Sequence, residues 1–301
     1  MTDNAKAMVM AAFAGDSLAL GVHWIYDTGA IAEHFGRVDQ LIKPAPNSYH
    51  ATKEKGDFTH YGDQMLVLLE SVAAAGGFNP TDFSIRWQAL FQNYDGYYDE
   101  ATKNTLSGFA SGKGPEEAGS PSDDLAGAGR LAPVVMALWH DPEQMARAAE
   151  AQTRMTHNNA LTLESAVFFA ETARRVLKGA SPLEAMKDVA SEGILGPQTA
   201  EWAARGMDSA GKDTLPALVG FGQTCRVQHA LPGTVHLIAT YERDLKEALV
   251  QSVMAGGDSA ARCMTAGMVL GAHLGWEALP EEWVSGLRKR ERIMELLDKI
   301  G

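Results

Sequence analysis

The sequence predicts an all-α protein, built as a compact bundle of many helices. Apolar residues recur at helical spacing over most of the 301 residues, and no segment shows the two-residue alternation of a half-buried strand. The hydrophobic fraction of 46% is ample for a large core. Because no repeat of fixed period and no low-complexity tract occurs, a helical solenoid is disfavoured, and we expect residues 1–301 to form a single domain.

Helical periodicity defines the elements in order along the chain. The first helix precedes the turn at Gly21 and carries an apolar stripe that we expect to be buried. Further helices are predicted over residues 64–75, 82–94, 124–138, 142–154, 161–177, 183–191, 197–207, 214–222, 243–254, 259–274 and 281–299. Segments 43–62 and 107–122, rich in Gly, Pro, Ser and charge, are predicted to be long loops that flank a binding site.

Charge and cysteine content restrict the class of protein. A net charge of −12 argues against binding to nucleic acid or to an anionic membrane, so the expected partner is a small molecule. Cys225 and Cys263 lack a Cys-x-x-Cys spacing, so they form neither a disulfide framework nor a thiolate zinc site by themselves. We expect a cytoplasmic protein, because the N-terminal region does not resemble a secretory signal and no apolar run reaches the roughly 20 residues that cross a bilayer.

Three acidic residues at special positions form the predicted site. Asp16 lies within an apolar helix, where a carboxylate is costly unless it is paired, hydrogen-bonded or bound to a metal. Asp63 and Asp258 each follow a polar or glycine-rich turn and precede an apolar helix, where backbone N–H groups favour the ionised form. The alternative is that these residues are ordinary caps or backbone-bonded acids. Arg262 follows Asp258 by one turn, so the two can form an ion pair without any metal.

Several other residues are candidate ligand contacts. Arg130 follows Gly127-Ala128-Gly129 and is a candidate anion clamp, although a Gly-x-Gly with no preceding strand does not support a dinucleotide-binding motif. Glycines 267, 271 and 275 recur at four-residue spacing, which indicates close helix packing rather than chemistry. The predicted substrate contacts are His60, Tyr61, Gln64, Gly127, Gly129, Arg130, His157 and Gly257.

Taken in order, these segments resemble the ADP-ribosylglycohydrolase family, which includes the dinitrogenase-reductase-activating glycohydrolases and the lens J crystallins. The resemblance runs nearly end to end and is carried by residues 15–18, Asp63, residues 127–133, Thr156-His157, residues 256–258, 271–275 and 279–283. It implies an all-α orthogonal bundle with a central cleft. In that cleft two magnesium ions are expected to assist hydrolysis of an N- or O-glycosidic bond to ADP-ribose.

The chain departs from the family pattern at the expected metal site. Where members with a full site carry Thr-Asp-Asp-Thr, positions 61–64 read Tyr-Gly-Asp-Gln, and where they carry Asp-x-Asp-Thr, positions 258–261 read Asp-Ser-Ala-Ala. Magnesium requires near-octahedral oxygen coordination that includes carboxylates, so at least one ion should be lost. Two alternatives remain: a single magnesium ion held by Asp63 and Asp258, with Asp16 as a further ligand, or a metal-free site in which Arg262 supplies the positive charge.

The leading functional hypothesis is a hydrolase of a C–N bond in an ADP-ribosyl, nucleoside-like or related small molecule. Asp63 and Asp258 are the predicted catalytic acids, because one carboxylate can stabilise positive charge on the sugar while a second orients water. Asp16 is expected to order the water or to hold a substrate hydroxyl. The alternative hypothesis is a non-catalytic binding or structural protein on the same scaffold, as the crystallins of the family suggest.

Overall fold

The computed structural model describes residues 3–300, which form seventeen α-helices, one short 3-10 helix and no strand beyond two isolated bridges. The all-α prediction is therefore confirmed. The helices are α1 (Asp3–Leu20), α2 (Thr28–Phe35), α3 (His60–Ala75), α4 (Pro80–Gln92), α5 (Glu100–Ala110), α6 (Ala126–Gly129), α7 (Ala132–Leu138), α8 (Pro142–Arg154), α9 (Ala160–Leu177), α10 (Pro182–Ser191), α11 (Pro197–Asp208), α12 (Thr214–Phe221), α13 (Val227–Thr240), α14 (Leu245–Met254), α15 (Ser259–Leu274), α16 (Glu281–Gly286) and α17 (Arg290–Ile300). None of these helices is both long and apolar enough to cross a membrane.

Polar caps fix where many of the helices begin. The side chains of Asn79, Asp141 and Ser181 each accept a hydrogen bond from a backbone N–H in the first turn of α4, α8 and α10. Each of these caps is followed by a proline, whose fixed φ suits the first helical position and whose missing N–H leaves no donor unsatisfied. Local sequence therefore determines these boundaries.

The centre of the molecule is the pair α1 and α15, which pack along most of their lengths. Residues 7–20 of α1 are buried on every side, as expected for a helix at the middle of a bundle. A Cβ added at Gly267 or Gly271 would lie 2.6 Å from Ala11, and one at Gly15 would lie 2.6 Å from the Cys263 carbonyl oxygen. The predicted packing role of Gly267 and Gly271 is confirmed, because only glycine allows the two backbones to approach so closely.

Several predicted boundaries are wrong. The predicted helix over 124–138 is divided into α6 and α7, and the one over 281–299 is divided into α16 and α17 by extended backbone at Leu287. Helices α2, α5 and α13 have no counterpart in the sequence prediction, and α5 occupies the start of the predicted loop 107–122. Helix α13 contains Pro232 in its interior, a residue that ordinarily argues against a helix.

Backbone contacts between loops assemble one end of the bundle. The segment that precedes α6 makes an isolated bridge to His157 through Ser120 and another to Arg226 through Asp124. The loop after α1 is held similarly, because the Trp24 N–H donates to the Gly257 carbonyl oxygen at 2.9 Å. Residues from five separate parts of the chain therefore meet at this end.

Candidate functional site

The loops at this end surround a cavity of about 420 Å³, called here the aromatic–acidic cavity. Five aromatic rings and three acids dominate its wall. The lining residues are Trp24, Tyr26, Tyr49, Tyr61, Tyr97, Asp99, Glu100, Ala101, Ser122, Asp124 and Cys225.

Trp24 is the centre of the aromatic wall. Its ring meets the rings of Tyr49 and Tyr97 edge to face, with centroids 5.0 and 5.1 Å apart. Trp24 has a φ of 66°, and within residues 3–300 no other non-glycine residue has a positive φ. Such backbone strain is kept where the surrounding structure requires it, and it is common at ligand sites. Tyr49 is 59% exposed and lies at the mouth of the cavity.

Asp99 and Asp124 form the acidic part of the wall, together with His157 behind it. One donor atom from each of these three side chains lies within 4.8 Å of the other two. Asp99 caps α5 by accepting from the Thr102 N–H at 2.7 Å, and Asp124 accepts from the Ala126 N–H at 2.8 Å. All three residues are buried, and the Nε2 atom of His157 has no hydrogen-bond partner.

Asp258 lies below the aromatic wall and is fully buried. Its Oδ2 atom accepts from the Trp24 indole N–H at 3.2 Å and from the Tyr61 hydroxyl at 3.1 Å. Its Oδ1 atom caps α15 by accepting from the Ala261 N–H at 3.4 Å. One carboxylate oxygen of Asp258 also lies within 4.8 Å of Asp124 and Cys225 donor atoms, so the buried acid adjoins the cavity.

The close acids alter one another's titration. Burial, followed by the charges of Asp258 and Asp99, raises the pKa of Asp124 well above its ordinary value. Burial also raises the pKa of Asp258, although the charge of Arg262 opposes this. Burial alone would raise the pKa of Asp99, but its contact with His60, at 3.5 Å between Nε2 and Oδ2, holds that pKa below its ordinary value.

A group of buried histidines lies behind the aromatic wall. The His23 ring stacks on Trp24 and on His50, and His60 lies 5.9 Å from Trp24 between ring centroids. Burial lowers the pKa of His50 to about 3 and that of His157 to about 4, and it lowers the pKa of His23 well below its ordinary value. These three rings are therefore neutral at pH 7 and add no positive charge to the cavity.

The structure places Asp16 in the protein interior rather than on the cavity. Its two carboxylate oxygens accept from the Thr59 N–H at 2.8 Å and from the Thr59 hydroxyl at 2.6 Å. Thr59 in turn caps α3 by accepting from the Tyr61 N–H. Asp16 does not line the cavity and instead holds the start of the helix that presents Tyr61, so its contact with water or a substrate hydroxyl stays a prediction.

Asp63 does not share a site with Asp258. It belongs to the first turn of α3, two residues after Tyr61, which turns the two side chains to roughly opposite sides of the helix. Its Oδ2 atom accepts from Lys53 Nζ and from the Tyr94 hydroxyl, each at 2.6 Å, in a separate surface cavity. The structure therefore does not bring Asp63 and Asp258 together, and the predicted role of Asp63 as a catalytic acid and metal ligand stays a prediction.

Gln64 and Arg130 are joined in a buried network away from the cavity. Arg130 donates to the side chains of Gln152 at 3.0 Å, Gln64 at 3.1 Å and Thr156. Gln64 also accepts from the Trp87 indole N–H at 2.7 Å. Neither residue lines the cavity, because these polar groups are buried and satisfy each other; the anion clamp at Arg130 and the ligand contact at Gln64 stay predictions.

Two of the three glycines predicted as ligand contacts, Gly127 and Gly257, instead allow close packing. A Cβ at Gly127 would lie 2.7 Å from the His157 ring, whereas one at Gly129 would lie no closer than 3.8 Å to Ala261. Gly257 has a φ of 67°, and a Cβ there would lie 2.2 Å from the Gln223 carbonyl oxygen. Gly127 and Gly257 position His157 and Trp24 respectively, and none of the three lines the cavity.

Arg262 does not form the predicted ion pair with Asp258. Its Nη2 atom donates to the carbonyl oxygens of Ser252 at 3.1 Å and Gly256 at 2.5 Å. The guanidinium therefore closes the end of α14 and affects Asp258 only through its charge. Arg262 is buried and does not line the cavity.

The residues present do not fit a magnesium site of the expected kind. The predicted ligands Asp63 and Asp258 face different surroundings, and the oxygens of Asp258 already accept from neutral donors. Among residues 3–300, two groups of side chains are close enough to surround one ion. They are Asp99, Asp124 and His157, and Asp124, Cys225 and Asp258. Each group includes a nitrogen or sulfur donor, whereas magnesium prefers oxygen.

Comparison with known proteins defines the class of protein. The chain matches the ADP-ribosylglycohydrolase family over residues 1–301, and it belongs to that family. It is 24% identical to Crystallin J1A of Tripedalia cystophora, over 99% of this chain and 96% of the crystallin. An uncharacterized protein of Archaeoglobus fulgidus is 25% identical over 100% of this chain and 96% of its own length.

The solved structure of an ADP-ribosylglycohydrolase-related protein complex has the same fold. Its TM-score is 0.81, with 24% sequence identity, and the alignment covers 99% of this chain and 96% of that one. The family match over residues 1–301 confirms the resemblance inferred from the sequence, and this structure confirms the fold.

Sequence reasoning missed most of the cavity wall. Trp24, Tyr49 and Tyr97 come from three separate loops, and no local pattern connects them. Asp99 had a recognisable signal, since an Asp that precedes Glu100 and an amphipathic segment is a typical helix cap. Of the predicted contacts, Tyr61 lines the cavity, His60 touches Asp99 from behind it, and His157 adjoins Asp99 and Asp124.

Proposed function

We propose that this protein is a hydrolase that cleaves an N-glycosidic C–N bond of a small molecule held in the aromatic–acidic cavity. The observation that carries the proposal is the meeting of the Asp99 and Asp124 side chains in one cavity wall. Hydrolysis of a glycosidic bond is commonly performed by two such carboxyl groups. Membership of a glycohydrolase family supports the same class of reaction.

The two acids have environments suited to different tasks. In the reaction the C–N electron pair moves to the nitrogen, which takes a proton from Asp124, while positive charge develops on the sugar. Water then forms the new C–O bond and gives its proton to Asp99. The raised pKa of Asp124 and the lowered pKa of Asp99 agree with a proton donor and a proton acceptor. Asp258 adds negative charge below the site and stabilises the cationic sugar.

Turnover of defined compounds tests this assignment. The purified protein is incubated with inosine, nicotinamide riboside and an ADP-ribosylated arginine peptide, and the released base or peptide is measured by chromatography. With the best of these substrates, Asp99→Asn and Asp124→Asn should each lower kcat by about 100-fold or more, the usual effect of losing an acid–base group.

Two further variants make the result specific. Asp188→Asn changes an exposed acid of α10 and should leave turnover unchanged. Asp63→Asn distinguishes the acids assigned from the structure from the acid predicted from the sequence. Because Asp63 lies in a separate cavity, its loss should change kcat by less than about threefold. Full activity in both Asp99→Asn and Asp124→Asn would refute the assignment.

A second candidate function is a non-catalytic binding or structural protein. The similarity to Crystallin J1A favours it, as does the absence of a fitting magnesium site. The same incubations distinguish the two candidates. A compound that binds in calorimetry but yields no product, whichever metal is supplied, supports the binding protein.

A further inference from the structure

We infer that the ligand of the aromatic–acidic cavity is a positively charged small molecule that carries no phosphate. This inference rests on the proposed function and names the substrate class of the same site. The lining of the cavity contains three acids and no Lys, Arg or His residue. Asp258 adds one more carboxyl group, with an oxygen within 4.8 Å of Asp124. Because Asp99 is ionised and no cationic side chain lines the cavity, its electrostatic field favours a cation even with Asp124 protonated.

The cationic side chains near the cavity are already paired. Lys103 pairs with Glu100 of the lining at 2.6 Å and so offsets one of the three acids, and its Nζ atom lies 5.9 Å from the centroid of the Tyr97 ring. Arg226 pairs with Asp123 at 3.0 Å. The guanidinium of Arg262 is buried on backbone carbonyl oxygens. Within residues 3–300, no side chain that lines the cavity offers the charge that a diphosphate needs. ADP-ribose would thus place two phosphates against carboxylates.

The aromatic rings supply the attraction that a desolvated cation requires. Trp24, Tyr49 and Tyr97 lie edge to face in pairs, with centroids 5.0 to 5.1 Å apart, and so form a corner of three rings. The face of an aromatic ring is negative, and groups of such rings recognise quaternary ammonium ions. Tyr26 and Tyr61 extend this surface around the cavity. The combination of rings and acids fits an ammonium, guanidinium or quaternised heteroaromatic group.

Binding of a matched pair of probes tests the charge preference directly. Choline and 3,3-dimethylbutan-1-ol have the same shape and differ in charge, and each is titrated by calorimetry into the full-length protein in the presence of EDTA. Choline should bind about 3- to 30-fold more tightly, the range expected for cation–π attraction. ADP-ribose, titrated in the same buffer, should bind more weakly than choline.

Two variants connect this preference to the cavity. Tyr49→Leu removes an exposed ring at the mouth and should weaken choline binding by about 3-fold or more, with little effect on the neutral alcohol. Phe78→Leu alters a partly buried ring between α3 and α4, outside the cavity, and should not change choline binding. Loss of affinity in both variants would contradict a specific role of the cavity.

The possible outcomes separate this inference from the proposed function. Equal affinity for choline and its neutral isostere, no binding of either, or tighter binding of ADP-ribose would overturn the cation inference. Preferred binding of choline without hydrolysis of any N-glycoside would support the cation site and overturn the proposed hydrolase. Hydrolysis of the ADP-ribosylated peptide with no preference for choline would support the hydrolase and overturn the cation site.

Discussion

Replacement of Asp16 by Asn should stabilise the protein relative to the unmodified chain. This gain in the free energy of unfolding should be larger at neutral pH than at acidic pH. Asp16 is fully buried in α1, and both of its oxygens accept from Thr59. Burial raises the pKa of Asp16 from 3.8 to about 7, and the hydrogen bonds from Thr59 only partly offset this effect. The folded protein therefore resists the ionisation that the unfolded chain accepts readily.

The expected magnitude follows from the shift in pKa. Each unit of pKa difference corresponds to about 1.4 kcal/mol, so a rise from 3.8 to about 7 corresponds to about 4 kcal/mol. Because the pKa of Asp16 is raised in the folded protein, the stability that its protonated carboxyl group contributes is fully present below about pH 4. It is lost as the pH rises through about 7. Asn is neutral throughout, and its side-chain carbonyl can still accept from the Thr59 N–H.

The free energy of unfolding is measured by urea denaturation between about pH 4.5 and pH 8.5, with the Asp16→Asn value minus the wild-type value plotted against pH. That difference should increase with pH by several kcal/mol. Asp188→Asn, an exposed substitution on α10, controls for the general effect of removing one acid and should give a nearly flat line. A flat line for Asp16→Asn as well would show that Asp16 ionises normally in the folded protein.

Three further results are expected. Gly127→Ala should destabilise the protein by about 1 to 3 kcal/mol in urea denaturation, because the new Cβ would lie 2.7 Å from the His157 ring, whereas the matched Gly129→Ala should not. Lys53→Met should lower the free energy of unfolding by about 1 to 3 kcal/mol, because it leaves the Asp63 carboxylate without its cation. The double variant Lys53→Met with Asp63→Asn should recover part of that loss, and no recovery would refute the pairing. Magnesium should give no saturable rise in Tm, and a rise that saturates with concentration would contradict the poor fit of magnesium to these acids.

The fold was largely predictable because its local signals agree with its packing. The structural starts of α8 and α15, at Pro142 and Ser259, are those that the cap and proline pattern predicts. Helix α13 was missed because Pro232 ordinarily ends a helix, and only burial of its surroundings in the core compensates for the lost N–H bond. The division of the predicted helix 124–138 into α6 and α7 was likewise missed, because it depends on packing of the glycines of α6 against α15.

The site was much less predictable, because it depends on which side of a helix faces inward. An acid in the first turn of α3 was correctly recognised, but helical geometry carries Asp63 about 200° around the axis from Tyr61. Asp63 therefore faces Lys53 and Tyr94, whereas the Tyr61 hydroxyl donates to Asp258.

Neutral hydrogen-bond donors explain how Asp258 remains buried. An ionised Asp258 needs compensation, and three neutral donors provide it: the Trp24 indole, the Tyr61 hydroxyl and the Ala261 N–H. Two of these donors belong to rings that also form the wall of the cavity. The side chains that satisfy Asp258 therefore also supply aromatic surface to the cavity. A wall that combines such rings with an ionised Asp99, and whose lining holds no cationic side chain, is electrostatically complete only when the ligand itself brings the positive charge.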